Sequence, residues 1–556
     1  MSKNLSPVAR IWQLVREERS TFSSIYFYAV LAGLIQLSLP VGIQSIVNFV
    51  LGGTFSASLA VLIVAVVAGV LVTGLMYINQ MKLIEKVQQI LFVRYAQEIA
   101  NKLPVIDLKQ SNNFYLPELT NRFFEIPSLQ KGLSKLLLEF PTASIQILFG
   151  LILLSFYHPA FILFGIILVL VLGGILYYTG GRGLASSIAE STQKYSLAAW
   201  LEEMARGVKA FKFEPDGPIL TRNAEQRSIA YLEKRTQHFR VLLFQYRVLI
   251  LFKTIITAAM LLVGSILLLN QQLNIGQFIA AEIVILIVIG AVEKLIGNID
   301  SVYDVLTSVD KMAKLTEKPE EKSGRLPMPW RKDGISIQLL KLRFGFEPDQ
   351  NILQDVNGQI PAGSKACITG PDGSGKSTLL QLFGGIYTDF QGGLLYDGIP
   401  ISNYQIDTLR AQMGISLSGQ HIFQGTVWEN ITLGRTDIST DELMQLAEKL
   451  HFNKQLQEWP LGWETALSPL GSRLSGSTIR KILLLRALAK KPRLLLLEEP
   501  WRGCSQSDRK AIQDLLLNLP ESTTVVVVTN DTEYISRCPI RIELTPFNEN
   551  PQTENA

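Results

Sequence analysis

The strongest constraint on this chain is a long uncharged stretch near its N-terminus. From Ser20 to Met81 the sequence contains no Asp, Glu, Lys or Arg. A helix needs about 20 apolar residues to cross the roughly 30 Å of hydrocarbon in a bilayer, so this stretch can hold two membrane spans. The pair Gly52–Gly53 near its middle marks the turn between them. Buried helices of a soluble protein do not explain the stretch, because such helices are shorter and usually keep a polar face.

Two further uncharged stretches follow the same pattern. Pro141–Gly181 is interrupted at Tyr157–Pro159, and Thr254–Ala281 turns at Asn270–Gln272 before the apolar pattern continues beyond Glu282. Each stretch is long enough for two spans or for one span and the start of the next. The sequence therefore predicts six spans, at about residues 22–47, 57–80, 137–157, 160–181, 245–270 and 276–297.

Three residues stand out inside the predicted spans. Pro40 and Pro141 lie within or at the edge of a span, where a proline can kink a helix. Glu282 lies in the sixth span, and a carboxylate there either faces a polar pathway or is solvated near the outer surface. Its short distance from the preceding turn favours solvation.

The distribution of basic residues predicts the orientation of the spans. Lys and Arg fall before the first span and in the two long loops that follow the second and fourth spans, whereas the three short connections carry neither. Cytoplasmic segments carry the excess of positive charge. We therefore expect a multi-pass protein of the inner (plasma) membrane with both termini in the cytoplasm. The two long loops exceed ordinary helix connections and predict helices that continue into the cytosol. The first apolar stretch is too long for a cleavable signal peptide.

Composition agrees with a membrane protein and excludes some partners. Of the 556 residues, 48% are hydrophobic and 18% are charged, against about 25% charged residues in average globular proteins. The formal net charge of +4 gives no sign of a nucleic-acid partner. The three cysteines and four histidines have no metal-type spacing, which predicts buried thiols in a reducing compartment and no zinc site.

A change in composition marks the end of the membrane domain, which we predict at residues 1–314. Leu315–Gly334 is rich in charge, Pro and Gly, which is typical of a linker. After it, short apolar runs such as Leu494–Leu497 and Thr524–Thr529 indicate the central strands of a parallel sheet. The sequence thus predicts an α/β domain at residues 335–546, with a polar tail at 547–556.

A phosphate-binding loop follows the predicted strand Ala366–Thr369. Gly370–Ser377 matches the P-loop pattern G-x-x-x-x-G-K-[ST]. Its glycines let backbone N–H groups point at phosphates at a helix N-terminus. Lys376 supplies charge to the β- and γ-phosphates, and the Ser377 hydroxyl is a magnesium ligand, so ATP and Mg²⁺ are the predicted cofactors. The candidate binding residues of this loop are Gly370, Gly373, Ser374, Gly375, Lys376, Ser377 and Thr378.

With six predicted spans followed by this loop, nearly the whole chain resembles the exporter-type ABC transporter family. Gln272–Ala280 looks like the start of the sixth span in exporters of the type I protein-secretion kind. Trp200–Phe213 resembles the second cytoplasmic loop of the family, and Asn113–Arg122 lies where its first coupling segment is expected. The resemblance implies a membrane domain of six helices, an α/β ATP-binding cassette, and a dimer that holds each nucleotide between the P-loop of one chain and the signature motif of the other.

The resemblance assigns roles to residues outside the P-loop. Phe346 falls where an aromatic ring stacks on adenine, with Phe344 as the nearby alternative. Glu498 falls at a magnesium-water position where the family has Asp, and Glu499 falls at the catalytic general base. The signature motif LSGGQ reads Leu474–Thr478 here, and its surviving residues that face the γ-phosphate of the opposite chain are Ser475 and Gly476.

Several positions depart from the family pattern. Ser418 replaces a glutamine that contacts magnesium and water, although Gln420 lies two residues later. Ser477 and Thr478 replace the second glycine and the glutamine of the signature, and Asn530 replaces a histidine that contacts the γ-phosphate. Arg502–Ser505 replaces the family's SALD loop, which lies at the dimer contact. Asn530, which the resemblance assigns a catalytic role, can donate a hydrogen bond but carries no charge. Losing one such contact costs about 10²–10³ in rate. The resemblance therefore implies good ATP binding with weakened hydrolysis.

Two functions follow from these patterns. The first is an exporter half that moves a substrate out of the cytoplasm as a homodimer or as a heterodimer with an intact partner, the number of departures favouring the heterodimer. The secretion-type resemblance implies a peptide or protein substrate and a periplasmic adaptor. The alternative is a nucleotide-gated membrane regulator, or partner subunit, that binds ATP without turnover. A membrane-anchored P-loop enzyme is disfavoured, because one span would suffice as an anchor.

Overall fold

Long helices form the first of two structural units of this chain. The computed structural model describes residues 5–53, 57–110, 116–214, 217–347 and 351–545. The predicted polar tail and Asn113 lie outside the described residues. The first unit comprises Met1–Pro104 and Phe114–Lys318, and the second comprises Val105–Asn113 and Pro319–Ala556.

The helices of the first unit are α1 (Pro7–Glu17), α2 (Arg19–Gln36), α3 (Ser38–Leu51), α4 (Ala57–Lys102), α5 (Leu116–Thr120), α6 (Glu125–Tyr157), α7 (Ala160–Arg206), α8 (Val208–Phe211), α9 (Pro218–Leu269), α10 (Ile275–Gly297) and α11 (Ile299–Thr316). Short 3₁₀ turns follow α4 at Leu103–Val105 and precede α6 at Asn121–Phe124. Within the described residues, six helical segments are long and apolar enough to cross a membrane, which is the number predicted.

Several of these helices extend well beyond a bilayer. Helix α9 has 52 residues, which corresponds to about 78 Å at 1.5 Å per residue. Helices α4 and α7 have 46 and 47 residues. A bilayer core is only about 30 Å thick, so each must continue far outside it, as the two long loops predict. Helix α11 also continues through Thr316, two residues into the segment predicted as the linker.

The two prolines in the spans affect their helices differently. Helix α2 ends at Gln36 and α3 begins at Ser38, because Pro40 has no N–H to donate to the Gln36 carbonyl one turn earlier. Pro141 lies inside α6, where it leaves the carbonyl of Leu137 without its helical donor. Gln80 of α4, which is 1% exposed, donates its Nε2 to that carbonyl at 3.3 Å. A side chain of a neighbouring helix therefore replaces the missing backbone bond and keeps α6 continuous.

The described residues of the second unit form three sheets. Its strands are β1 (Ile337–Phe344), β2 (Leu353–Ile360), β3 (Lys365–Thr369), β4 (Gln391–Tyr396), β5 (Ile399–Pro400), β6 (Met413–Ser416), β7 (Gly425–Thr426), β8 (Ala466–Leu467), β9 (Leu494–Glu498), β10 (Thr524–Val528) and β11 (Ile540–Glu543). The antiparallel sheet has the order β2-β1-β4-β5, and the parallel sheet has the order β11-β3-β10-β9-β6. Strands β7 and β8 form a separate pair.

Helices and 3₁₀ turns connect these strands. The helices are α12 (Lys376–Phe383), α13 (Ile406–Ala411), α14 (Val427–Thr432), α15 (Thr440–Lys449), α16 (Asn453–Glu458), α17 (Gly476–Leu488), α18 (Gln506–Leu517) and α19 (Thr532–Arg537), and the 3₁₀ turns are Ile401–Asn403, Gly462–Glu464 and Pro469–Gly471. Strands β3, β9 and β10 are buried along their whole length, and the apolar runs Leu494–Leu497 of β9 and Val525–Val528 of β10 are typical of such central strands. The predicted parallel α/β arrangement is therefore present.

Candidate nucleotide-binding site

The parallel sheet brings the ends of three neighbouring strands to one edge. Strand β10 pairs in parallel with both β3 and β9, with Val528 opposite Ile368 on one side and Glu498 on the other. Residues that directly follow these strands therefore lie close together, as is usual for ligand sites in α/β sheets. The P-loop follows β3, Glu499 follows β9, and Asn530 follows β10 by two residues.

The glycines of the P-loop adopt backbone conformations that other residues rarely take. Gly370, Gly373 and Gly375 have φ values of +147°, +80° and +86°. A Cβ at Gly370 would lie 2.3 Å from the carbonyl oxygen of Leu544, so a side chain cannot be placed there. The loop ends where α12 begins at Lys376, which directs the helix N-terminus at the space enclosed by the loop.

A pocket of about 610 Å³ lies against the P-loop. Its walls come from the ends of the three strands, from the P-loop and from the segment after β6. The lining residues are Ile352, Asp372, Gly373, Ser374, Gly375, Lys376, Ser377, Thr378, Ser418, Glu498, Glu499, Arg502, Val528 and Asn530. The sequence-predicted P-loop residues are thus brought together with Glu498, Glu499 and Asn530, while Gly370 lies at the base of the loop.

Glu498 connects two sides of this pocket. Its Oε1 accepts a hydrogen bond from the Ser377 hydroxyl at 2.5 Å, and its Oε2 accepts one from the backbone N–H of Ser418 at 2.7 Å. The side chain is nearly buried, with 7% exposure. The Glu498 side chain therefore spans from the P-loop to Ser418, where the sequence predicts that a glutamine of the family is replaced.

The Ser377 hydroxyl and the Glu498 carboxylate have the chemistry of magnesium ligands. Mg²⁺ prefers hard oxygen ligands and takes much of its coordination from substrate phosphates and water. The Ser377 hydroxyl and the Glu498 carboxylate are two such oxygens, 2.5 Å apart. Among the described residues, no group of three or more His, Cys, Asp or Glu side chains could hold a metal by itself. A cation here would depend on the nucleotide for its remaining ligands.

Glu499 lies at the end of β9 in a strained conformation. Its φ is +42°, unusual for a residue other than glycine. The carboxylate accepts weak hydrogen bonds from the Asn530 backbone N–H at 3.3 Å and from the Thr529 hydroxyl at 3.4 Å. Burial raises the pKa of Glu499 above its ordinary value, and these two bonds and the charge of Arg502 oppose the shift only in part. A carboxylate with a raised pKa is a better proton acceptor.

Lys376 is held by its own loop. Its ammonium donates to the carbonyl oxygens of Gly370 and Pro371, both at 2.7 Å. The Asp372 carboxylate lies 3.9 Å from the same nitrogen and is fully exposed. The lysine is therefore directed into the loop that would enclose the phosphates.

The aromatic residues near β1 form a cluster outside the phosphate pocket. Phe344 is 2% exposed and stacks on Tyr387 with ring centres 5.3 Å apart, so its faces are covered. Phe346 is half-buried and meets both rings edge-on, at 5.2 and 5.3 Å. Lys109, which belongs to the same unit, lies 5.0 Å from the centre of Phe344 and bonds to the Asp389 side chain at 3.2 Å. Of the two phenylalanines, Phe346 retains surface for a further ring.

The signature residues do not line this pocket. Ser475 caps α17, since its hydroxyl accepts the Thr478 backbone N–H at 3.1 Å. The hydroxyls of Ser477 and Thr478 lie 2.9 and 2.8 Å from it. The signature residues Ser475 and Gly476 are therefore not among the described residues that line the P-loop pocket of their own chain. Gly476 directly follows Ser475 and is the first residue of α17.

Sequence reasoning did not select two charged residues of the pocket, Asp372 and Arg502. Asp372 occupies a variable position of the P-loop motif, so the motif gives it no role. Arg502 belongs to the segment Arg502–Ser505 that replaces the family's SALD loop, and the resemblance assigns it no role in binding. Its position three residues after Glu499 is the signal that could have identified it, because that turn leaves the same edge of the sheet.

Family comparisons agree with this geometry. Residues 353–502 match the family model for the ABC transporter, and residues 23–292 match the model for the ABC transporter transmembrane region. Both the membrane helices and the cassette are thus similar to ABC transporters. They therefore have the fold predicted from the sequence, and the cassette match implies ATP binding.

Relatives of this chain include two uncharacterised ABC transporter ATP-binding proteins of Bacillus subtilis (strain 168). YknV is 25% identical over 552 residues, which cover 94% of this chain and 88% of YknV. YwjA is 28% identical over 280 residues, which cover 50% of this chain and about half (48%) of YwjA. The structure of a bacterial Atm1-family ABC exporter with ATP bound shares the fold, with a TM-score of 0.82, 19% identity and coverage of 95% of this chain and 94% of that chain.

Proposed function

We propose that this chain is an ATP-driven exporter half that works as a dimer, with the cassette and both termini in the cytoplasm and with weakened intrinsic hydrolysis. The observation that carries the proposal is the convergence of Lys376, Ser377, Glu498 and Glu499 in one pocket. A P-loop beside two strand-end carboxylates is the arrangement that positions a triphosphate for attack by water.

Each residue has a role in this proposal. The backbone of the P-loop and Lys376 hold the phosphates, and Phe346 offers a ring to the adenine. Ser377 and Glu498 would hold Mg²⁺, which would supply positive charge to neutralise the phosphates. Glu499 accepts the proton of the attacking water, and Asn530 orients it. Ser475 and Gly476 contact the γ-phosphate bound to the partner chain.

Weakened hydrolysis follows from the replaced contacts. Ser418 presents only a short side chain and a backbone N–H already bonded to Glu498. Asn530 carries no charge, and its backbone N–H is directed at Glu499. Binding depends mainly on the P-loop, which is complete, whereas turnover depends on the charges and donors around the γ-phosphate.

Substrate and accessory partners rest on the sequence alone. Gln272–Ala280 resembles the start of the sixth span in type I secretion exporters. On that basis we propose a peptide or protein substrate and a periplasmic adaptor. Purification of the native complex tests the adaptor, and it also reveals whether one or two kinds of exporter chain are present.

Steady-state ATPase activity of the reconstituted full chain tests the motor. We expect slow turnover that is lost in Lys376→Ala, which removes the phosphate charge, and in Glu499→Gln, which removes the base. The second candidate is a nucleotide-gated regulator, favoured by the substitutions at Ser418, Thr478 and Asn530. Tight ATP binding with no turnover, even with substrate and partner present, would establish that alternative and refute the motor.

A further inference from the structure

The turn after β9 fixes the position of Arg502. Trp501 is 5% exposed and packs against Tyr534 with ring centres 4.9 Å apart, which anchors the turn in the core. The backbone N–H of Arg502 donates to the Glu499 carbonyl at 3.1 Å, and Cys504 donates to the Trp501 carbonyl at 3.0 Å. The side chain between these two anchors is exposed and lines the nucleotide pocket.

Arg502 changes the charge of that pocket. The described lining residues include three carboxylates, on Asp372, Glu498 and Glu499, and two cations, Lys376 and Arg502. Lys376 already donates to two carbonyl oxygens of its own loop. In the part of the chain that the structure describes, the Arg502 guanidinium has no hydrogen-bond or ion-pair partner. It is thus the cation of this pocket that is available to a ligand.

Asn530 lines the same pocket but supplies no charge there. Its backbone N–H is used by Glu499, and its side chain is a neutral amide. The γ-phosphate is the part of ATP that ADP lacks, and its negatively charged oxygens are stabilised by a cation in the bound nucleotide and during transfer. A guanidinium suits this task, since its planar donors can bind two phosphate oxygens at once.

We propose that Arg502 binds the γ-phosphate of ATP held by the P-loop of the same chain, and thereby supplies the charge that Asn530 lacks. The proposal rests on the proposed nucleotide-binding function. It makes Arg502 a specificity residue, because a contact with the γ-phosphate distinguishes ATP from ADP.

The test is nucleotide binding by the full-length protein in lipid nanodiscs. Dissociation constants for ADP and for the non-hydrolysable analogue AMP-PNP are measured with Mg²⁺ for the wild type, R502A and R502K. The matched control is R331A, which removes an exposed arginine of the cassette outside the pocket. We expect R502A to weaken AMP-PNP binding by about tenfold or more, as for one charged hydrogen bond, with ADP binding changed by less than about twofold.

Two further variants strengthen the test. R502K should retain part of the preference for AMP-PNP, because a single point charge remains. In the R502A background, Asn530→His should recover part of the lost affinity as the pH falls from 8 to 6, since an imidazole becomes charged in that range. R331A should match the wild type for both nucleotides.

Equal losses for AMP-PNP and ADP in R502A would overturn the proposal, because they place the guanidinium at shared phosphates or in the fold. Unchanged affinity for both nucleotides would overturn it as well. K376A separates the proposed nucleotide-binding function from the inference about Arg502. It should weaken the binding of both nucleotides whether or not Arg502 discriminates between them. A wild type that binds neither nucleotide, or a K376A variant that binds both normally, would refute the proposed function and this inference with it.

Discussion

At the scale of single residues, the substitutions in the pocket are linked by contacts. Glu498 is one methylene longer than the Asp of the family pattern, and it reaches the backbone N–H of Ser418 while still accepting the Ser377 hydroxyl. Ser418 takes part in this contact through its backbone N–H. The two departures therefore belong together, and neither should be reversed alone without a loss.

Glu498→Asp tests this link. The shorter carboxylate cannot keep both contacts, and loss of one charged hydrogen bond should weaken Mg²⁺-dependent ATP binding by about tenfold. Adding Ser418→Gln should recover affinity, so that the two changes are non-additive. The measurement is ATP affinity as a function of Mg²⁺ concentration, with Glu521→Asp, an exposed carboxylate of the cassette, as control. Additive effects of the two changes would contradict the link.

Glu499 predicts a pH-dependent effect on stability. Burial raises the pKa of this carboxyl in the folded protein, so the folded state binds its proton more tightly than the unfolded chain does. Ionisation at higher pH therefore destabilises the fold, and Glu499→Gln removes that effect while keeping an acceptor for the Asn530 N–H. We expect the nucleotide-free variant to have a higher Tm than the wild type near neutral pH.

The difference in Tm should shrink as the pH falls, because protonation makes wild-type Glu499 neutral as well. Thermal unfolding between pH 8 and 4 measures it, because this range extends below the ordinary carboxyl pKa of 4.5, with Glu521→Gln as the exposed control. A difference that stays constant over this range would show that burial of the charge is not its cause.

At the scale of elements, continuity of α6 depends on a side chain of another helix. Pro141 leaves the Leu137 carbonyl without a backbone donor, and Gln80 of α4 supplies one. Gln80→Leu should leave this carbonyl unpaired and destabilise the membrane domain by about 1–3 kcal/mol. Unfolding in detergent measures the change. Gln89→Leu is the control, since Gln89 lies exposed on the same helix and bonds only within it.

A second substitution identifies the cause of that loss. Pro141→Ala restores a backbone N–H, which can donate to Leu137 from within α6. The double variant Gln80→Leu with Pro141→Ala should therefore be more stable than Gln80→Leu alone. If Pro141→Ala gives no rescue, the cost of Gln80→Leu comes from packing and not from the unpaired carbonyl.

At the scale of the whole molecule, the features that could be predicted from the sequence are those that depend on residues close together in the chain. Uncharged stretches gave the number of membrane helices, and the P-loop motif located the pocket, because both depend on residues close in sequence. The contact of Gln80 with Leu137, 57 residues apart, follows from tertiary packing and was not predicted. Arg502 was not selected because its place in the pocket depends on Trp501, which anchors its turn in the core. The grouping of Val105–Gln110 with the cassette unit is likewise a long-range property.

The arrangement of chains in the dimer gives the last prediction. Ser475 and Gly476 are not among the described residues that line the pocket, and in the proposed dimer the signature of a second chain completes each site. If two copies of this chain form the dimer, a Lys376→Ala chain can be combined with a Ser475→Arg chain. This mixed dimer keeps one site in which the P-loop and the facing signature are both intact. A dimer of a wild-type chain with a chain carrying both substitutions keeps none.

Purification through a different tag on each chain isolates the two mixed dimers, which contain the same substitutions in the same number. We expect ATPase activity in the first and only residual activity in the second. Because composition is identical, folding defects affect both equally and cannot produce the difference. Equal activities would contradict a site shared between two copies of this chain, and would favour a heterodimer in which another protein supplies the signature that faces this P-loop.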